Sequence, residues 1–337
     1  MSDAAALHEE LLTLDSHIDI PWPNGPDPFA ETSRCVDLPK MRRGGLSAGC
    51  FAAYVPQGKR DREGQDAAYA RAIGMLETIR AMGRQVDGIT ARLASTADEI
   101  EAAWREGALA IVPAVENGHA IGTDLGRLTR FREMGARYLT ITHNGHNDLA
   151  DSANPRADLG DTPEEHGGLS PLGRDAVAAL NRLGMLVDVS HLAKSAMLQA
   201  AECSRTPVLA THSCVRALCD HPRNLDDEQL DVLRQIGGLI QITAVAAFLR
   251  PRGKAEQVGV ADYVDHVDYA VRRIGIAHVG ISSDFDGGGG FSGWRNAAES
   301  PNLTEELWRR GFGRDEIAAL WGGNFLRLLR AAEQAAA

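Results

Sequence analysis

The chain has 337 residues, of which 44% are hydrophobic and 5% aromatic, and its formal net charge at pH 7 is −11. This hydrophobic content is enough for a large core, and the length suits a single α/β barrel domain that spans residues 1–337. The acidic charge argues against nucleic acid as a partner and against an anionic membrane surface. Five cysteines without a C-x-x-C pair indicate reduced core residues rather than a disulfide framework or a zinc knuckle.

The two ends of the sequence show no recognisable targeting or anchoring segment. Residues 1–17 lack a basic stretch followed by the apolar stretch of a secretory signal. No apolar run approaches the roughly 18 residues of a membrane span, and the last residues, AAEQAAA, do not resemble a lipid-anchor tail. These observations predict a cytoplasmic protein that does not bind membranes.

Eight short runs of aliphatic residues recur along the chain, and helical patterns separate them. Near-continuous apolar runs of this kind are typical of parallel strands that are covered on both faces. The predicted strands are residues 11–20, 48–55, 108–116, 137–144, 184–191, 207–213, 237–245 and 278–287.

Start and stop signals mark several of the helices between these strands. Residues 95–107 begin with two hydroxyl residues followed by acidic ones and end on a glycine. A second helix is predicted after Ser170, a candidate N-cap, with Pro171 at its first position and Gly184 as its stop. The other predicted helices are residues 64–84, 304–312 and 313–334.

Eight strands that alternate with helices form the arrangement of a (β/α)8 barrel, the TIM-like α/β fold. The alternative is a doubly wound open sheet, but the chain lacks the G-x-G-x-x-G opening of a dinucleotide-binding domain. The polar and glycine-rich segments 145–169 and 287–303 follow predicted strands, so we expect them to be loops above the barrel. We therefore expect no division into two domains.

The first predicted strand ends in polar residues that share one face. Side chains alternate between the two faces of a strand, so Asp15, His17 and Asp19 point one way. Ile18 and Ile20 point the other way. A histidine beside a carboxylate can be a pair of metal ligands, and it can equally belong to a hydrogen-bonded network at the end of a strand. This strand by itself does not decide between the two interpretations.

Most of the other predicted strands also end in a histidine or a carboxylate. In a barrel these ends meet at one rim, where active sites form. Unpaired buried charges cost several kcal/mol, and bound metal ions would offset that cost. Histidine and carboxylate ligands without cysteine suit Zn²⁺ or a similar divalent ion, and their number favours two ions that share a carboxylate. The residues concerned are Glu116, His143, His191, His212, Asp284 and Asp286.

Single residues near this rim have alternative interpretations. His143 is a candidate to support Asn144 or Asn147 rather than to contact a substrate. Alternation puts Asp284 and Asp286 on the same face, so spacing does not decide between them.

Three further residues are open to two interpretations. Arg223 is a candidate for a surface salt bridge with Asp226 or Asp227. Asp15 is a candidate to orient the imidazole of a metal ligand from behind, and Asp188 stands in the same relation to the histidine that ends the fifth predicted strand.

Seven stretches follow one another from residue 15 to about residue 330, and they read DSHIDIPW, PAVENGHAIG, YLTITHNGHNDLADS, GLSPLGRDAVAALNRLGMLVDVSH, THSCVRALCDHPRNL, HVGISSDFDG and LWGGNFLRLL. In these stretches and in their order, the chain resembles the membrane dipeptidase (renal dipeptidase-like) family of zinc peptidases, as a soluble bacterial member. The family usually has Gly and Asn on either side of the first histidine, where this chain has Ser16 and Ile18, and neither position is a ligand. Mammalian relatives also carry a signal peptide and a lipid anchor.

The resemblance implies a barrel of the metallo-dependent hydrolase type with two Zn²⁺ ions in each chain. His17 and Asp19 would hold one ion. His191 and His212 would hold the other, and Glu116 would bridge the two. A hydroxide held between the ions would attack the peptide carbonyl.

The resemblance also implies substrate-facing roles for three residues. His143 would contact the substrate and donate a hydrogen bond to the oxyanion that forms. Arg223 would bind the substrate's C-terminal carboxylate with its planar guanidinium. Asp284 would carry a proton to the leaving amine. The implied activity is hydrolysis of small dipeptides with a free C-terminal carboxylate, with tolerance of D-residues at that position, by an enzyme that could form a homodimer.

Two other functions are compatible with a metal-binding barrel. A metal-dependent amidohydrolase would act on a lactone, a cyclic amide or an N-acyl amino acid. A non-enzymatic barrel would keep the metal in a structural role, but the retained Asp284 and the roomy rim loops argue against it.

Overall fold

A computed structural model describes residues 3–20 and 25–336, and its centre is a sheet of parallel strands. Pro21 and Trp22, which end the first resembling stretch, lie outside the described residues. The strands are β1 Leu14–Asp19, β2 Ala48–Tyr54, β3 Gln85–Val86, β4 Ile89–Leu93, β5 Leu109–Glu116, β6 Tyr138–Thr140, β7 Leu186–Asp188, β8 Leu209–Ser213, β9 Leu239–Ile242 and β10 Val279–Ile281.

Eight of these strands follow one another around a barrel in the order β1-β2-β5-β6-β7-β8-β9-β10. The barrel closes where the segment after β10 meets β1, through a parallel bridge between Ile18 and Phe285. The N–H of Asp284 donates to the carbonyl oxygen of His17 at 3.1 Å, and this contact brings the two residues to one place on the rim. The predicted (β/α)8 barrel is confirmed.

Helices cover the outside of the barrel, and the predicted start signals are confirmed. The Oγ of Ser170 accepts from the N–H of Gly173 at 3.0 Å. Helix α4 begins where predicted, after Thr96. The helices are α1 Asp3–Glu10, α2 Leu38–Arg43, α3 Arg62–Ala81, α4 Ala97–Arg105, α5 Gly126–Glu133, α6 Pro171–Arg182, α7 Lys194–Cys203, α8 Asp227–Gln235, α9 Ala246–Leu249, α10 Val260–Ile274, α11 Pro301–Arg309, α12 Arg314–Ala318 and α13 Asn324–Ala335, with a π-helical turn at Ala319–Gly323 between the last two.

The hairpin formed by β3 and β4 is not among the predicted elements. These strands pair antiparallel across Asp87 and Gly88, both of which have positive φ, at 47° and 77°. An Asp-Gly pair between strands is a known hairpin signal, so the sequence did carry the information. Strand β4 also pairs parallel with the first half of β5, far from the carboxyl end of that strand.

Four predicted strands end at least three residues earlier than expected. β6 ends at Thr140, β7 at Asp188, β9 at Ile242 and β10 at Ile281, so the site residues that follow β6, β7 and β10 lie on loops. His191 and Asp284 have positive φ values of 68° and 57°, which places them outside extended backbone. The alternation of a strand therefore does not determine where their side chains point.

The core lies in two layers. Inside the barrel, small and aliphatic side chains pack with Tyr138 of β6 and with the inner face of α13, which closes the amino-terminal end of the barrel. Between the strands and the other helices lies a larger apolar cluster that contains Ile18, on the side predicted for it, although β1 shifts register between Asp15 and Ile18. Among the described residues, none of the helices combines the length and the apolar character needed to cross a bilayer.

Candidate metal centre and its pocket

Glu116, the last residue of β5, is buried at the centre of the rim formed by the carboxyl ends of the strands. Its Oε2 is 3.5 Å from the Nε2 of His17. Its Oε1 is 3.3 Å from the Nε2 of His191 and 3.5 Å from the Nε2 of His212. The two oxygens of one carboxylate thus face different imidazoles, as in a carboxylate that two cations share.

Within residues 3–20 and 25–336, two sets of side chains have their potential ligand atoms within 4.8 Å of one another. Asp19 belongs to neither set, although its Oδ1 is 3.7 Å from the Nε2 of His17. His143, expected as a substrate contact, belongs to one set, and its Nε2 is 3.9 Å from the Oε1 of Glu116. The sets are His17, Glu116 and His212, and Glu116, His143 and His191.

Negative charge is concentrated on the β1 side of the cluster. Burial alone would lower the pKa of His17, but three nearby carboxylates, Glu116 first among them, raise it to about 10. Burial and the charge of Glu116 raise the pKa of Asp19 well above its ordinary value. Burial also raises the pKa of Asp284 to about 7. This side of the cluster therefore favours a bound cation.

The other side of the cluster consists of neutral imidazoles. Burial lowers the pKa of His191 and of His212 well below the ordinary histidine value. The two Nε2 atoms lie 2.9 Å apart. Two neutral imidazoles whose Nε2 atoms converge in this way are suited to bind one metal cation together.

The residues at the rim fit divalent metal ions. The Nε2 of His17 and the Oδ1 of Asp19 are buried and have no hydrogen-bond partner among the described residues. Such orphaned buried groups are costly unless something compensates them. The donors are imidazole nitrogens and carboxylate oxygens without sulfur, a set that suits Zn²⁺ and related ions.

His143 faces the pocket more than the other histidines of the cluster. Its side chain is 20% exposed, compared with 7% for His191, and its ring lies between those of Tyr54 and His191 at 4.8 and 4.2 Å. No hydrogen bond joins the ring to Asn144 or Asn147, whose amides bond elsewhere in the described chain. Burial lowers its pKa.

Arg223 is buried beside the cluster and does not form the surface salt bridge considered above. Asp226 pairs with Lys194 and Asp227 with Arg273. One guanidinium N–H of Arg223 donates to the carbonyl oxygen of His212 at 3.1 Å, while its Nε has no partner among the described residues. Burial lowers the pKa of Arg223 to about 10, so the side chain is a buried cation at neutral pH.

The structure separates Asp284 from Asp286. Asp286 accepts hydrogen bonds from the N–H groups of Cys35 and Val36 at 2.8 and 3.1 Å, and Arg34 lies 3.1 Å away. Its carboxylate therefore anchors the chain segment before α2. The Oδ1 of Asp284 instead lies 4.0 Å from the Nε2 of His17, at the edge of the cluster.

An open pocket of about 380 Å³ lies over the cluster. The side chains of Asn144 and Asn154 lie on its wall, and Val245 and Phe248 add apolar surface. His221, which the sequence analysis did not connect with the site, also lines this pocket. The predicted site residues on the wall are Asp19, Glu116, His143, His191, His212, Arg223 and Asp284.

The carboxylates expected behind the ligand histidines act differently. Asp15 accepts from the backbone N–H groups of His17 and Ser283 at 3.2 and 3.0 Å, so it ties β1 to the end of β10 without contacting an imidazole. Asp188 does not contact His191 either. Neither carboxylate forms the predicted direct contact with an imidazole: Asp15 accepts through its Oδ1 from backbone N–H groups, and Asp188 accepts from backbone and hydroxyl donors.

Tyr138 and Thr211 contact the imidazoles instead, and the sequence analysis did not single them out. The Nδ1 of His17 is 2.9 Å from the hydroxyl of Tyr138, and the Nδ1 of His212 is 2.8 Å from the Oγ1 of Thr211. A tyrosine in an otherwise aliphatic strand was an available signal, because a buried phenol needs a hydrogen-bond partner. Thr211 carries no comparable signal.

An eight-stranded parallel barrel with histidines and carboxylates gathered at one rim defines a barrel hydrolase of the metallo-dependent type. Residues 1–337 match the model of one family, described as membrane dipeptidase (peptidase family M19). The chain belongs to this family and is therefore a dipeptidase, a hydrolase of peptide bonds.

Curated relatives and solved structures agree with this assignment. The chain is 33% identical to Dipeptidase aclJ of Aspergillus oryzae over 307 residues, which cover 89% of this chain and 71% of the relative. It is 33% identical to Dipeptidase 3 of Rattus norvegicus over 306 residues, 89% of this chain and 59% of that protein.

Among solved structures, the probable dipeptidase PvdM from Pseudomonas aeruginosa superimposes with a TM-score of 0.93 at 32% identity, covering 99% of this chain and 98% of that one. A metallo peptidase from Rhodobacter sphaeroides, liganded with a phosphinate mimic of the dipeptide L-Ala-D-Ala, gives a TM-score of 0.82 at 27% identity, with 96% and 99% of the two chains covered.

Proposed function

We propose that this protein is a binuclear zinc dipeptidase whose substrates carry a free C-terminal carboxylate. The observation that carries the proposal is the position of Glu116, whose two oxygens face different imidazoles. In this proposal His17 and Asp19 hold one ion. His191 and His212 hold the other, and Glu116 bridges them.

Bound in this way, two zinc ions would polarise the peptide carbonyl and lower the pKa of a water held between them. The protein's own side chains bind and orient the substrate around that chemistry. His143 lies at the pocket wall with its side chain 20% exposed, where its ring can donate a hydrogen bond to the carbonyl oxygen. Tyr54 packs against that ring and limits its rotation.

Asp284 is the proposed proton carrier. Its carboxyl lines the pocket and lies beside the cluster, where its Oδ1 is 4.0 Å from the Nε2 of His17. Cleavage of a peptide bond releases an amine that must gain a proton, and a carboxyl group in this position can supply it. Asp286 cannot share this role, because two backbone N–H groups and Arg34 engage its carboxylate.

Arg223 is the proposed binding partner of the substrate carboxylate. It is 3% exposed and forms no ion pair with an acidic residue of the described chain. A buried cation without a direct ion pair is costly, and a substrate carboxylate bound to its planar fork would offset that cost. Arg223 lines the same pocket as the cluster, so a dipeptide with its C-terminal carboxylate on Arg223 would have its single peptide bond beside the cluster. The liganded Rhodobacter relative supports a D-residue at the C-terminal position.

The proposal predicts hydrolysis of free dipeptides and weak activity on blocked ones. Zinc-loaded protein is assayed with matched L-Xaa-L-Xaa and L-Xaa-D-Xaa pairs and with the same dipeptides as C-terminal amides. We expect Arg223→Ala to lower kcat/KM for the free dipeptides about 10- to 100-fold, since a charge-assisted hydrogen bond contributes about 1.5–3 kcal/mol. The variant should leave the low activity on the amides unchanged.

Two results would contradict the proposal in different ways. A zinc-loaded protein that cleaves no dipeptide of a broad panel is not the enzyme described here. Equal loss of activity on dipeptides and amides in Arg223→Ala would remove Arg223 from carboxylate binding and would favour an amidohydrolase with another substrate class.

A further inference from the structure

We propose that two buried hydroxyl groups, those of Tyr138 and Thr211, fix the tautomers of His17 and His212 so that each presents an unprotonated Nε2 to the metal centre. This inference rests on the proposed metal ligation by these two histidines. It assigns positioning roles to residues that touch neither the substrate nor the metal ions.

The hydroxyl of Tyr138 has only one proton, and its surroundings determine where that proton points. Tyr138 is fully buried, and its hydroxyl donates to the carbonyl oxygen of Ser16 at 3.0 Å. The same oxygen lies 2.9 Å from the Nδ1 of His17, so it must accept there. The Nδ1 of His17 therefore carries a proton. In the neutral ring the Nε2, which faces Glu116, then has a free lone pair.

Thr211 stands in the same relation to His212, with a carboxylate behind it. The Oγ1 of Thr211 donates to the Oδ2 of Asp188 at 2.6 Å and lies 2.8 Å from the Nδ1 of His212. Its one proton is directed to the carboxylate, the stronger acceptor, so the oxygen accepts from the imidazole. The Oγ of Ser190 lies further away, at 3.3 Å.

Asp188 directs the proton of Thr211 only if its carboxylate accepts hydrogen bonds. All the hydrogen bonds of its side chain are of this kind. Its Oδ2 also receives the hydroxyl of Thr140 at 2.5 Å. Its Oδ1 receives the N–H groups of Ser190 and Thr211, both at 3.0 Å. Four donors converge on this one carboxylate, which leaves no place for a proton of its own. A chain of fixed direction therefore runs from Asp188 through Thr211 to His212.

His191 lacks such a contact and provides an internal comparison. Its Nδ1 is buried and has no hydrogen-bond partner among the described residues. No hydroxyl of the described chain holds the ring at this nitrogen, and the close contacts of the ring are all at its Nε2, which lies 2.9 Å from the Nε2 of His212 and 3.3 Å from the Oε1 of Glu116. The two metal positions should therefore depend on different hydroxyl groups: one on Tyr138 through His17, and the other on Thr211 through His212.

The test measures zinc binding rather than catalysis. Tyr138→Phe and Thr211→Val remove each hydroxyl while keeping the shape of the side chain, and Thr211→Ser is the matched control that keeps a hydroxyl. Competition with a chromophoric chelator gives the dissociation constant of each of the two zinc ions. Changes of residues behind a ligand typically weaken metal binding about 10- to 100-fold. We expect Tyr138→Phe and Thr211→Val each to weaken the binding of one zinc ion by that factor. Thr211→Ser should bind both ions with the affinity of the unchanged protein.

A second readout separates positioning from simple support of the fold. In zinc-loaded protein with ¹⁵N-labelled histidine, the Nδ1–H signals of His17 and His212 should be protected from solvent exchange. Tyr138→Phe should remove the protection of the first only, and Thr211→Val that of the second only. Thermal unfolding of the metal-free variants records any structural loss separately from the zinc affinities.

Several outcomes would overturn the inference. If both variants keep two zinc ions at unchanged affinity, the hydroxyls do not position the ligands, whatever happens to the unfolding midpoint. If Thr211→Ser binds zinc as weakly as Thr211→Val, the hydroxyl is not the group that positions His212. If the unchanged protein binds fewer than two zinc ions, the two-metal proposal itself fails, and this result is distinct from the other two.

Discussion

At the scale of the residue, Gly287 lies where any side chain would collide with two carboxylates of the site. A Cβ at this position would be 2.5 Å from the Oδ1 of Asp284 and 2.6 Å from the Oδ2 of Asp19. Both atoms are the free ends of side chains, so they can move aside, but they cannot then keep their positions at the cluster. The glycine thus allows the backbone to approach the two carboxylates closely.

Gly287→Ala should therefore lower activity more than it lowers stability. We expect kcat/KM for a free dipeptide to fall at least about 10-fold, since displacements of about 1 Å at a catalytic group have effects of this size or larger. The unfolding midpoint should change little. Gly259→Ala is the matched control, because its Cβ would meet its nearest neighbour only at 3.8 Å. Full activity in Gly287→Ala would show that the two carboxylates tolerate displacement.

The candidate ligands could be predicted from the sequence because histidines and carboxylates at the ends of apolar runs are conspicuous. The choice between Asp284 and Asp286 could not be derived from spacing, because both residues lie beyond β10 with positive φ, where strand alternation has no meaning. Tyr138 could not be connected with His17, since 121 positions separate them and only the closed barrel brings them together.

At the scale of the element, strand positions could be predicted but their carboxyl ends could not. Buried parallel strands are apolar runs, and that composition continues after the ladder of hydrogen bonds stops. Ile141 follows β6 and Val189 follows β7, and both are buried. An apolar composition indicates that a segment is buried. The end of a strand depends instead on its hydrogen bonds to the neighbouring strand, and the local sequence does not contain that information.

Helix α6 allows a test at this scale, because its N-cap also secures the long loop before it. The Oγ of Ser170 accepts from the N–H of Gly173 and donates to the carbonyl oxygen of Asp148 at 2.7 Å. Ser170→Ala should lower the free energy of unfolding by about 1 kcal/mol, the usual contribution of an N-cap. Denaturant unfolding measures this loss. Ser170→Thr, which keeps a hydroxyl, should recover most of it.

The same variant should leave catalysis nearly unchanged, because Ser170 does not line the pocket. A clear fall of kcat/KM in Ser170→Ala would mean that this N-cap holds the loop 145–169 in the position that the site needs. That result would connect helix packing to substrate binding, which the described contacts do not require.

At the scale of the whole molecule, the barrel is closed at one end by α13 and carries its charged cluster at the other. The amino-terminal half of the interior is apolar and tightly filled. The rim instead contains buried carboxylates and imidazoles, some without partners. The fold thus places its least favourable burial where a ligand can compensate it, an arrangement typical of functional sites.

Removal of metal should therefore destabilise the entire domain. A ligand that binds only the folded state stabilises it by about 2.7 kcal/mol when its free concentration is about 100 times its dissociation constant. We expect a chelator to lower the unfolding midpoint by several degrees and added Zn²⁺ to restore it, as measured by calorimetry. Glu116→Gln, which removes the charge of the proposed shared ligand, should lose most of the stabilisation that added Zn²⁺ gives. An identical midpoint with and without chelator would mean that the cluster is stable without a metal ion and that its orphaned groups are satisfied by water alone.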